Sequence, residues 1–185
     1  MILNPRTMVE VGAVKGLKDK ATQIQANGVD LRVAKLSRMK DGSAMSVLDW
    51  DNSKRVYPEY EDIPLPAIVQ PGTYLAQYAE TVDIPMNVMA QVFMRSSLQR
   101  MGAYLFSSVY DSGYIGKGVG LLVLTKPIQI LQDARIGQIV FHDAESAKAY
   151  DGIHKGEGVT KDIASGKPKP KPKQPVHEPF ETVAP

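Results

Sequence analysis

The chain has 185 residues, no cysteine and a formal net charge of +2. That length suits one domain able to bury a sizeable core, and the lack of cysteine excludes a disulfide framework, a thiolate metal site and a cysteine nucleophile. No apolar run approaches the roughly 18 to 20 residues that cross a bilayer, and Met1-Ile2-Leu3-Asn4-Pro5-Arg6 lacks the basic-then-apolar layout of a secretion signal. The expected location is the cytoplasm (the host's, for a viral chain), with no membrane partner.

Asn4 followed by Pro5 predicts a helix start, with proline at the first helical position and Val9, Ala13 and Leu17 as its apolar edge. Short β-type runs follow at Val29–Val33, Ser46–Trp50, Ala67–Gln70, Thr73–Tyr78, Val88–Met94, Ala103–Tyr110, Val119–Leu124, Ile128–Leu131 and Ile136–Phe141. Gly, Pro, Asn or Asp punctuate most of the gaps, as in Gln70-Pro71-Gly72 and Asp111-Ser112-Gly113. Many short strands at close spacing predict an all-β sandwich, jelly roll or barrel. Two further brief helices are expected, at Ser97–Met101 ending on Gly102 and at Ala144–Tyr150 after Asp143.

The last residues form a separate compositional unit, with a boundary expected at 163/164. Lys167-Pro-Lys-Pro-Lys-Pro-Lys173 alternates cation and proline, which blocks helix and sheet and favours extended polyproline II. It reads as a solvated tail or as an arm across a neighbouring subunit, anchored by Val176, Phe180 and Val183. From residue 161 onward five lysines and three acids give +2, so residues 1–160 balance to zero. A balanced body argues against a nucleic-acid partner, whose binding needs a basic face.

His142, His154 and His177 are not at metal-ligand spacing, and serine elbow, Walker loop and dinucleotide fingerprint are all missing. His142 reads as structural or exposed. Four stretches remain: Asn27-Gly28-Val29-Asp30-Leu31-Arg32-Val33, Arg95-Ser96-Ser97-Leu98-Gln99-Arg100, Val109-Tyr110-Asp111-Ser112-Gly113-Tyr114-Ile115-Gly116 and Ala134-Arg135-Ile136-Gly137-Gln138-Ile139-Val140-Phe141. Singly, each reads equally as a turn, a helix start or an ordinary strand.

In this order and spacing they resemble the family that unites dUTP diphosphatase (dUTPase) with dCTP deaminase. The resemblance runs from about residue 1 to 160 and includes Gln70-Pro-Gly-Thr-Tyr-Leu-Ala76 and Glu80-Thr-Val-Asp-Ile-Pro85. Met1-Ile2-Leu3 and the phrase around Asp30 resemble the deaminase-like branch, which includes archaeal dUTPases. The resemblance implies a mainly β fold, a distorted jelly roll or β-barrel with a few short helices, and a homotrimer with sites at subunit boundaries.

It also implies roles. Arg95, Ser96 and Ser97, with Arg100 in the same motif, would bind the phosphates of a deoxynucleoside triphosphate, as guanidinium and hydroxyl donors at a helix start can do. Asp111 would ready the water that attacks the α-phosphorus. Tyr114 would pack on the deoxyribose and exclude a 2′-hydroxyl, and Gln138 would contact the phosphates. Asp30 would lie near Mg²⁺ and touch it through water, or only anchor its loop; Arg135 reads as a structural pairing residue. Tyr150-Asp-Gly-Ile-His-Lys-Gly-Glu-Gly-Val-Thr160 resembles the family's closing loop, here altered at His154, Lys155 and Glu157. Tyr150 is expected at the substrate and Lys155 within reach of a γ-phosphate.

The dCTP deaminases carry a catalytic glutamate ten residues beyond the aspartate matching Asp111; that position is Leu121. Leucine cannot shuttle the protons that deamination requires. Archaeal dUTPases of this branch often keep that glutamate as well, so its loss is unusual on either reading. The expectation is dUTP hydrolysis to dUMP and pyrophosphate with Mg²⁺. The alternatives are a deaminase or bifunctional enzyme, a nucleotide-binding member without turnover, and activity on a modified pyrimidine.

Overall fold

Asn4 fulfils its predicted role: its Oδ1 accepts from the backbone N–H of Arg6 at 2.9 Å and caps helix α1 (Pro5–Glu10). In the computed structural model, which describes residues 1–159, α1 ends before the expected Ala13 and Leu17. Gly12 takes φ +82°, and the Ala13 N–H turns back to the Met8 carbonyl at 2.8 Å. A left-handed glycine just past a helix ends it in this way. The chain then forms β1 (Val14–Lys15) and an unpredicted short helix, α2 (Lys20–Gln23), capped by Asp19.

The main sheet is built on β2 (Val29–Met39), twice the length expected. Its first half pairs with β13 (Arg135–Asp143), and its second half pairs with β5 (Gly72–Tyr78) and β3 (Tyr60–Ile63). Beyond β13 come β7 (Val88–Met94) and β9 (Val109–Tyr110); beyond β5 come β11 (Val119–Leu124) and β8 (Ala103–Phe106). All these pairings are antiparallel. Helix α3 (Ser96–Arg100) links β7 to β8, and β8 at one end of the order touches β7, the last strand but one at the other, so the sheet is curled. The predicted run 103–110 is therefore two strands, broken at Ser107-Ser108 and belonging to opposite ends of the sheet.

Two smaller sheets close the body. One joins β1, β6 (Thr81–Asp83) and β10 (Ile115–Gly116); the other pairs β4 (Ala67–Val69) with β12 (Ile128–Ile130). Leu31, Leu36, Tyr78, Val82, Leu122, Ile139 and Phe141 fill the interior between them. The mainly β expectation with few short helices holds.

Two predicted elements do not form. Residues 46–50 make only an isolated bridge, Val47 to Val56, because the run has no buried face to pack: Leu48 and Trp50 point into solvent. Residues 144–150 are not helical; the Ala144 N–H bonds to Asn87 and the Tyr150 N–H to Ser112, and these cross-chain bonds displace an intrahelical ladder. The expected boundary at 163/164 and the Lys/Pro tail lie outside the described residues.

Candidate functional site

Strand pairing brings three of the four motifs together. Gln138 on β13 faces Asp30 of β2 on one side and Phe93 of β7 on the other, while Arg95 follows β7 at the head of α3. Asp30, 1% exposed, is the hub. Its Oδ2 pairs with Arg95 Nε at 3.1 Å and Arg135 Nη1 at 3.0 Å, and its Oδ1 accepts from Gln138 Nε2 at 3.2 Å. Arg95 also donates to the Arg135 carbonyl and Arg135 to the Thr22 carbonyl. Both Asp30 oxygens are thus engaged, and the carboxylate holds two guanidiniums side by side. Arg135 pairs structurally, as expected.

Behind this hub lies a layer that sequence reasoning missed. Glu80, fully buried, accepts from Arg32 Nε at 2.6 Å, the Arg32 N–H at 2.9 Å and Gln23 Nε2 at 2.8 Å. Gln23 Nε2 also donates to the Asp30 carbonyl, and Arg32 reaches Asp133, which Lys18 pairs from outside. A carboxylate this deep is tolerated only because every oxygen is paired. Glu80 fell within a phrase that resembled the family, but nothing local marked it as buried.

Ser96 is exposed and Ser97 half-buried in the first turn of α3. The Arg95 side chain does not cap that turn. Arg100 lies at the other end of the helix and lines a shallow cleft with Met101, Lys126 and Gln129.

The third motif forms a second cluster. Asp111 is exposed, and the described ion pairs use Asp30, Asp62, Asp83 and Asp133 but not Asp111. Tyr114, buried, stands edge-on between Tyr110 (5.3 Å) and Tyr150 (5.4 Å). Three alternate glycines make room for tyrosine hydroxyls. A Cβ on Gly116 would meet Tyr114 Oη at 2.5 Å and one on Gly120 would meet Tyr78 Oη at 2.5 Å; at Gly118 it would strike Tyr110 Oη. Burial pushes the Tyr110 hydroxyl up to about 12 and raises those of Tyr78 and Tyr114 further. Burial also raises the Tyr150 hydroxyl, helped by the nearby charges of Asp111 and Glu157.

The closing turn is fastened onto this cluster. The Tyr150 N–H donates to the Ser112 carbonyl at 2.7 Å, the Gly156 N–H to Ile115 at 2.6 Å and the Lys117 N–H to Glu157 at 2.8 Å. Lys155 Nζ donates to the Tyr150 carbonyl at 3.1 Å, back onto its own turn.

Within one chain the two clusters lie apart. Tyr110 pairs with Ala90, which places Asp111 beside Met89, six residues from Arg95. At about 3.3 Å per residue the separation is about 20 Å along β7. Leu121, on β11, lies opposite Phe106 and Leu75, turned outward with Tyr104 and Phe106 on an exposed apolar face. Among the described residues no three His, Asp or Glu side chains gather to hold a metal ion, and Asp30 is occupied by guanidiniums. The described residues therefore do not fit a resident metal cage. No described helix is long and apolar enough to cross a membrane.

Comparison with known proteins places this geometry in a class. The family model for dCTP deaminase-like proteins matches residues 7–144. The chain belongs to that family. It is 40% identical over 140 residues to the deoxyuridine 5'-triphosphate nucleotidohydrolase of Methanocaldococcus jannaschii, covering 72% of this chain and 88% of that one. A relative from Aeropyrum pernix, named "Probable deoxyuridine 5'-triphosphate nucleotidohydrolase", is 34% identical over 165 residues, covering 86% of this chain and all of that one. Among solved structures, the 2'-deoxycytidine 5'-triphosphate deaminase of Agrobacterium tumefaciens shares the fold, with a TM-score of 0.57 at 22% identity. That superposition covers 77% of this chain and about half (48%) of the deaminase.

Proposed function

We propose that the protein hydrolyses dUTP to dUMP and pyrophosphate. The observation that carries this reading is a solvent-facing carboxylate at Asp111 that forms no ion pair among the described residues, combined with an apolar residue at position 121. Asp111 takes a proton from a water molecule, the water oxygen bonds to the α-phosphorus, and the bond from that phosphorus to the bridging oxygen breaks as pyrophosphate leaves. Arg95, with the Ser96 and Ser97 hydroxyls and Gln138, holds the triphosphate; bidentate guanidinium contacts suit phosphate oxygens. Asp30 serves this step by fixing Arg95 and Arg135. Mg²⁺ would enter as part of the substrate, carried by the triphosphate and its water rather than by side chains of this chain. Tyr114 and Tyr150 provide an aromatic wall for the deoxyribose, and Lys155 and Arg100 supply further positive charge at its edge.

On this reading the site is shared between copies, because Asp111 and Arg95 of one chain are too far apart to act on one triphosphate. The outward apolar face of Tyr104, Phe106 and Leu121 supports an oligomer, and a trimer closes such a head-to-tail contact. A complementation experiment tests the whole reading. Asp111→Asn chains should bind nucleotide, Arg95→Gln chains should bind it more weakly, and neither should release pyrophosphate alone. Mixed and reassembled, they should regain part of the activity, since Arg95 of one then faces Asp111 of the other. Full turnover by Asp111→Asn alone, or ammonia release from dCTP, refutes it.

A further inference from the structure

Residues 40–59, between β2 and β3, form a projecting hairpin. Its base is tied by the Lys40–Glu59 ion pair and backbone bond, both at 2.9 Å, and its middle by the reciprocal Val47–Val56 bonds at 3.0 Å. The tip is ordered: Asp49 Oδ1 accepts from the Asp51 N–H at 2.8 Å, and Asp51 Oδ1 accepts from the N–H and hydroxyl of Ser53. Yet this ordered tip presents apolar side chains to water. Trp50, the only tryptophan of the chain, is 100% exposed, and Leu48 is 89% exposed. An apolar group held out on an organised turn marks a surface that something covers.

Charge narrows what that is. Asp49 and Asp51 flank Trp50 at the tip, while the cations Lys54 and Arg55 follow on the returning arm, where Arg55 Nε donates to the Asp49 carbonyl at 3.2 Å. The complementary composition, alternating lysine and proline, lies in the same chain at Lys167–Lys173, and sequences of that kind favour a polyproline-type rod. Prolines of such a rod stack on aromatic faces at little entropic cost, and a lysine ammonium is drawn both to an indole face and to flanking carboxylates. Proximity agrees. Tyr57, on the hairpin's returning arm, is among the side chains near the Tyr150 hydroxyl. Tyr150 opens the turn that ends the described chain at Val159. Eight extended residues from Val159 to Lys167 reach roughly 25 Å.

We propose that the Asp49-Trp50-Asp51 tip is the docking site for the chain's own Lys167–Lys173 segment. This interaction does not depend on the proposed hydrolysis and would survive its failure.

Because Trp50 is the sole tryptophan, its fluorescence reads the contact directly in the full chain. Compared with a chain ending at Ser165, the full chain should emit at shorter wavelength and be quenched less by acrylamide, with the difference erased by high salt. A synthetic Lys167–Lys173 peptide added to the shortened chain should restore the protected signal saturably, and Asp49→Asn/Asp51→Asn should abolish protection with the tail still present. Mixing that double variant with shortened chains identifies the source: protection of the shortened chain's Trp50 means a neighbour's tail docks, and its lack means docking within one copy. Equal emission and quenching in full and shortened chains overturns the proposal. So does protection that persists without the tail and rises with protein concentration, which would assign the tip to contact between copies.

Discussion

Replacing Asp30 with asparagine removes one charge and no bulk, and the geometry sets the size of the effect. Two guanidiniums share Oδ2 at 3.1 and 3.0 Å, so the carboxylate both attracts each cation and screens one from the other. At an effective dielectric of about 20, one such pair at 3.1 Å attracts by roughly 5 kcal/mol before desolvation is subtracted. Removing one partner of a buried pair costs about 3–5 kcal/mol net. Arg95 and Arg135 keep 28% and 31% side-chain exposure, so water takes over part of the lost interaction. The expected loss is then about 2–3 kcal/mol, which at about 2–4 °C per kcal/mol lowers the melting temperature by roughly 4–12 °C. Differential scanning calorimetry measures it. The Arg135→Gln substitution should cost much less in the Asp30→Asn background than alone, because the charge it serves has gone. An unchanged melting temperature in Asp30→Asn, or full additivity of the two substitutions, would refute the hub.

Gly118→Ala combines a left-handed backbone (φ +70°) with a Cβ driven into Tyr110 Oη; a loss of roughly 2–4 kcal/mol is expected by urea unfolding, and one below about 0.5 kcal/mol would count against the tyrosine packing. Glu80→Gln should lower stability by about 3 kcal/mol by taking the buried carboxylate from Arg32 Nε and leaving Asp133 as its one anionic partner among the described residues, and an Arg32→Met partner change should recover part of it; the cycle is read by the same unfolding curves. The buried tyrosines set an alkaline limit. Tyr110 stays protonated in the fold to about 12 but ionises near 10 when unfolded, so above pH 10 the unfolded chain binds fewer protons and is favoured. Stability should therefore be fully present below pH 10 and fall by about 1.4 kcal/mol per pH unit for each such tyrosine up to its folded value. A urea midpoint that stays flat from pH 9.5 to 11.5 would contradict the burial.

Much of the sheet was legible because its strands carry their own signal. Val88–Met94 and Val119–Leu124 match the residues read from sequence, since each is a short, nearly continuous apolar run bounded by turn residues that end pairing. β6 and β10 were missed: at two or three residues each, they are strands only because β1 and the third motif lie beside them. Ser46–Trp50 has the right residue types for a strand but lacks a neighbour to bury against, and β-propensity is largely a measure of that neighbour. The Glu80–Arg32–Gln23 layer was illegible for a related reason. Glu80 stands 48 residues from Arg32 and 57 from Gln23 along the chain, and only the folded sheet brings them to one point.

The same limit applies to the candidate site. The four motifs were visible as residue types in order, but order does not give position. Register does: Tyr110 opposite Ala90 places Asp111 at one end of β7, while the Asp30–Arg95–Gln138 group gathers at the other. A strand is too stiff to fold its ends together, and the backbone bonds from β7 to β13 and β9 hold it straight enough to keep them apart. Any chemistry that uses Asp111 and Arg95 on one triphosphate must therefore draw them from different copies of the chain. That is why mixing two inactive variants tests the proposed reaction more sharply than either variant alone.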